Sequence, residues 1–146
     1  MIKKVALLLI LFICITLSLI LVSTKINNGY IEKDKITDSF KRNKERFVVV
    51  QKYADSIKGN LYIDIRDPDF NKNHYIKEIV YIIDKLNYIG IYEDENSNTL
   101  KFVFESGENE QGIMYIKSNI NPNINPSIGS CERIIDNWFY YSEIHT

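Results

Sequence analysis

The chain has 146 residues, with 18 Lys and Arg against 19 Asp and Glu, for a net charge of −1. That length excludes a two-domain enzyme, and a pI near 6.1 argues against a dedicated nucleic-acid binder. With 45% hydrophobic and 12% aromatic residues, the chain can fill a core, which excludes global disorder.

Met1-Ile2-Lys3-Lys4 precedes an uncharged run from Val5 to Val22. As a helix that run rises about 27 Å, close to the roughly 30 Å hydrocarbon core of a bilayer. It is longer than the apolar stretch of a cleaved signal peptide, and Ile13 before Cys14 does not suit lipidation. The reading is an uncleaved single-pass signal-anchor over residues 5–22 with the lipid bilayer as its partner; a cleaved, exported form is the alternative. Lys3 and Lys4 place residues 1–4 in the cytoplasm and the rest of the chain outside it, at the cell membrane. Residues 23–37, with Asn27-Asn28-Gly29, read as a polar stalk.

A domain over residues 38–146 follows. Thr37 or Asp38 caps a helix running to Lys58, with Phe40, Phe47, Val50, Ala54 and Ile57 on one stripe and Gly59 as its stop. Leu61 to Arg66 alternates as a strand, apolar at Leu61, Ile63 and Ile65, and Asp67-Pro68-Asp69 ends it. A second helix spans about Asn73 to Leu86, where Ile76, Ile79, Val80, Ile83 and Leu86 keep helical period, and Asn87 supplies a left-handed stop. Tyr88–Glu93, Thr99–Glu105 and Gly112–Lys117 read as strands of an antiparallel meander, joined by turn-rich segments. Asn119 to Pro126 repeats Asn-Ile-Asn-Pro and is an extended loop. Cys131 to Thr146 carries one last strand. Beyond the membrane helix, then, the fold is α+β: two layers, with two helices on a mostly antiparallel four- or five-stranded sheet.

Ser39-Phe40-Lys41-Arg42-Asn43-Lys44-Glu45-Arg46-Phe47, with Asn137-Trp138-Phe139-Tyr140-Tyr141 near the end, resembles small membrane-anchored or exported proteins of low-GC Gram-positive bacteria. The resemblance covers roughly Ser39 to Tyr141. It implies a bacterial cell-surface protein of unassigned activity and carries over no catalytic residue.

Chemistry-bearing residues are sparse. Asp94, Asn96, Asn98 and Glu105 fall at calcium-loop positions 1, 3, 5 and 12, but Thr99 replaces the turn glycine, so a polar hairpin loop explains them better. Asp64, Asp67 and Asp69 with His74 are spaced to meet a hard cation, and Asp-Pro-Asp more often marks a turn. Cys131 has only His74 and His145 as possible bases, and Cys14 is too far away to pair with it in one molecule. No phosphate loop, nucleophile elbow, Cys-x-x-Cys pair or zinc-protease helix is present. These points predict no enzyme, no cofactor and no metal. The candidate partner surface is Trp138, Phe139, Tyr140 and Tyr141: alternation puts Trp138 with Tyr140 on one sheet face and Phe139 with Tyr141 on the other; an open face offers a protein or glycan contact, and a covered one makes its pair simply core, the reading favoured here. Charge divides too, net +4 from Lys25 to Lys58 and −7 from Gly59 onward. The functional expectation is a non-enzymatic binding domain displayed at the cell surface; a toxin-neutralising immunity protein and a membrane-tethered envelope hydrolase are the alternatives.

Overall fold

The computed structural model describes residues 2–57, 59–94, 98–105, 109–117 and 129–144, with the side chains of residues 2–12, 17–32, 105, 109 and 144 left aside. The repeat at 119–126, Asn96 and His145 therefore lie outside the described residues. The chain divides into two units, Met1–Lys35 and Ile36–Thr146.

The first unit is helical from Ile2, as part of one 55-residue helix, α1 (Ile2–Ser56). Where the sequence suggested an anchor, a stalk and a separate helix, the backbone forms one element. Asn27, Asn28 and Gly29 fail to break it because glycine costs a helix only about 1 kcal/mol relative to alanine and asparagine less. No proline precedes Pro68 to force a stop. Thr16 keeps its hydroxyl within the helix, donating to the Ile13 carbonyl at 2.9 Å. Among the described residues no helix is long and apolar enough to cross a membrane. That finding overturns the transmembrane, signal-anchor and single-pass reading of residues 5–22. Most side chains of that run fall outside the described set; of those described, Ile13 and Ile15 are exposed.

The second unit is the α+β domain. Ile36, Phe40, Phe47, Val50 and Ala54 are buried along one side of α1, the stripe expected from their spacing with one more turn upstream. Gly59 follows with φ +106, a conformation that suits glycine and lets the chain turn into β1 (Tyr62–Asp64). The expected helix from Asn73 is shorter than its apolar pattern. Asn71 accepts the Asn73 backbone N–H at 3.0 Å, which diverts Lys72–His74 into a 3₁₀ turn, and α2 covers only Lys77–Leu86. It buries Ile79, Ile82 and Ile83 and ends on Asn87 at φ 60, the left-handed stop anticipated above.

A three-strand meander and one last strand were expected after α2, but there are five strands: β2 (Gly90–Asp94), β3 (Thr99–Glu105), β4 (Asn109–Ile116), β5 (Ser130–Ile135) and β6 (Trp138–Ile144). The sheet has six strands in the order β1-β2-β3-β4-β6-β5, all neighbours antiparallel. This corrects the four- or five-stranded count. The single strand expected after Cys131 is a hairpin, folded at Asp136, which sits at φ 48, and Asn137. Chain order and sheet order part there, because β5 takes the outer edge and β6 returns beside β4.

One sheet face receives the buried side of α1 and α2. Phe47 lies at its centre, with ring centroids 4.9 Å from Phe102, 5.1 Å from Phe40 and 5.5 Å from Tyr88. Trp138 joins this group 5.1 Å from Phe40. A half-buried ion cluster closes one margin: the Lys117 ammonium pairs with Asp55 of α1 at 2.7 Å and with Glu93 of β2.

Candidate binding face

The other face of the sheet follows from register. Two rows of side chains cross it. The first runs Tyr62, Tyr92, Lys101, Met114, Phe139 and Arg133 from β1 to β5; the second runs Asp64, Gly90, Val103, Gly112, Tyr141 and Cys131. Met114, Ile116, Phe139 and Tyr141 form a second buried cluster, which holds no helical residue among those described.

Long charged side chains help to cover these rings, their stems lying on apolar surface while their heads stay polar. The Lys101 ammonium stands 5.3 Å from the Tyr141 ring centre and pairs with Glu143 at 2.6 Å. The Arg133 guanidinium stands 5.2 Å from the Phe139 ring. Tyr141 donates its hydroxyl to Glu110 at 3.0 Å, and burial, reinforced by the nearby Glu110 charge, pushes that hydroxyl well above its usual pKa.

The glycines serve close approach. A Cβ on Gly90 would stand 2.4 Å from the Tyr92 hydroxyl oxygen, and one on Gly112 only 2.0 Å from the Phe102 carbonyl oxygen. Gly90 thus lets the Tyr92 ring lie back along its own strand, toward Asp64.

Asp64 is gripped by Arg66. The guanidinium donates from Nη2 to Oδ2 at 2.6 Å and from Nε to Oδ1 at 2.9 Å, and the Arg66 backbone N–H adds a third bond to Oδ1 at 2.8 Å. Those hydrogen bonds hold the Asp64 carboxyl below its usual pKa although burial works against them. Burial, helped by the Asp64 charge, pushes the Tyr92 hydroxyl up to about 12.

Exposure changes along the first row. Phe139 is 4% exposed, Met114 1%, and Tyr92 half-buried, whereas Tyr62 at the β1 edge is 63% exposed. Tyr62 is still held in place, stacked on Tyr92 with centroids 5.2 Å apart and planes 24° apart. Ile65, the residue that follows β1, is exposed as well. The backbone edge itself is short. The Leu61 carbonyl and the Ile65 N–H bond inward to Glu93 and Ile89, so alternation points the polar groups of Tyr62 and Asp64 outward. The Asp64 carbonyl already accepts the Asp67 N–H at 3.1 Å, so the edge is blunted against strand addition.

The partner surface expected from the sequence is placed differently. Trp138 and Tyr140 are buried in the helix-side core, and Tyr140 donates to Gln111 at 2.8 Å. Phe139 and Tyr141 are buried on the opposite face. The structure brings together Tyr62 and Tyr92, which sequence reasoning passed over because nothing in the chain order pairs positions 62 and 92.

Asp67 accepts the Asp69 N–H at 2.9 Å, closing the turn, and Asp94 and Thr99 are opposed in the β2–β3 ladder. Among the described residues no three His, Cys, Asp or Glu side chains are grouped to hold a metal ion. The Cys131 thiol is half-buried, and burial pushes its pKa up to about 11, which leaves it a poor nucleophile at neutral pH. Compared with known proteins, the chain matches no protein-family model, no curated protein and no solved structure.

Proposed function

We propose that the Ile36–Thr146 unit is a binding module rather than an enzyme, and that it meets a protein partner at the β1 end of the sheet face opposite the helices, through Tyr62. The observation that carries this reading is the exposure of a rigid ring: Tyr62 is 63% exposed yet stacked on Tyr92. A side chain already fixed in position loses little conformational freedom on binding, which is the property of aromatic anchors at protein interfaces. The engagement of Asp64 with Arg66 and of Asp67 within its turn supports binding over acid–base chemistry at this edge.

The test places a photo-reactive phenylalanine analogue at position 62 of the full chain in the native cell, with position 49 as the control. Val49 is exposed on α1 and serves as a site of similar access. A discrete adduct from position 62 and none from position 49 is the expected result. No adduct from 62, or the same adducts from both, overturns the assignment.

A further inference from the structure

We draw no further inference here: the strongest candidate, the Tyr62–Tyr92 stack at the β1 edge of the sheet as a seat for a cationic side chain, belongs to the face already described, and because Arg66 neutralises the neighbouring Asp64 nothing in the structure shows what covers it.

Discussion

On the helix-covered face of the sheet, Phe47 is fully buried among the rings of Phe40, Tyr88, Phe102 and Trp138. On the opposite face Tyr141 is equally buried, but it lies beneath a lysine and donates to a glutamate. The first face excludes water with apolar groups brought in by helices. The second uses charges that must themselves be paired, so its burial depends on geometry and on pH in a way the first does not. Burial alone does not reveal which means is at work; the response to substitution does.

The largest effect belongs to the helix side. Phe47→Ala removes a ring with four aromatic neighbours and leaves a cavity that neither helix nor sheet can close. A loss of about 3–5 kcal/mol is expected, a large part of the 5–15 kcal/mol typical of a domain. The midpoint of urea unfolding, followed by far-UV circular dichroism, measures it. A loss under about 1 kcal/mol would mean that Phe47 is not the centre of this core.

The opposite face answers to pairing. Lys101 and Glu143 are 17% and 13% exposed at their side chains, between the surface and the interior. Lys101→Met keeps the stem over Tyr141 and strands Glu143 without its cation. The cost expected is about 1–3 kcal/mol, between values for exposed and buried pairs. Adding Glu143→Gln removes the stranded charge and recovers most of that cost in a double-mutant cycle. Equal stabilities of the single and double variants would show that the stem, not the pair, covers the ring.

How far the sequence reveals these two faces differs as well. The helix side was legible, because it rests on local period: the stripe from Phe40 to Ala54, Ile79 and Ile83 of the α2 run, and the alternation at Leu100 and Phe102 are buried as expected, while Ile76, Val80 and Leu86 are half-buried. Thr99–Glu105 forms a strand with the bounds read from the sequence. The opposite face was not legible, because Lys101 on β3 and Arg133 on β5, which help to cover it, reach Tyr141 and Phe139 only through register. Alternation separated Trp138 and Tyr140 from Phe139 and Tyr141 correctly; it carried no information about which face was covered. The β5–β6 hairpin had a local signal, Asp136-Asn137 between two apolar runs, of the kind that marks tight turns. The unbroken α1 had none, since Asn-Asn-Gly ends many helices and here does not.

The Asp64–Arg66 pair supplies a smaller and pH-dependent contrast. The folded Asp64 carboxyl is held below the ordinary value of 3.8, so its contribution is complete above about pH 4. That contribution is lost as pH falls through the lower, folded value. Wild type should therefore be more stable than Arg66→Gln at neutral pH, with the gap shrinking below about pH 4 and closing once Asp64 is protonated. Urea midpoints of both proteins from pH 7 down to pH 2 measure the gap. A gap independent of pH would show that Arg66 acts through packing rather than through the carboxylate.

The smallest effect has the opposite sign and returns to the helix-covered face. Tyr88 is fully buried there, 5.5 Å from Phe47 and 5.6 Å from Phe104, and its hydroxyl has no hydrogen-bond partner among the described residues. Tyr141 and Tyr140 show the contrast, each donating to a carbonyl or carboxylate oxygen. A buried hydroxyl without a partner forfeits its hydration and gains nothing in return. Tyr88→Phe keeps the ring and deletes only that atom, so the variant should be more stable than wild type by about 1 kcal/mol. Tyr141→Phe should lose a similar amount, because it deletes the hydrogen bond that the hydroxyl donates to Glu110. If both substitutions move the urea midpoint in the same direction, the two faces do not differ in how they treat a polar atom, and the division drawn between them fails.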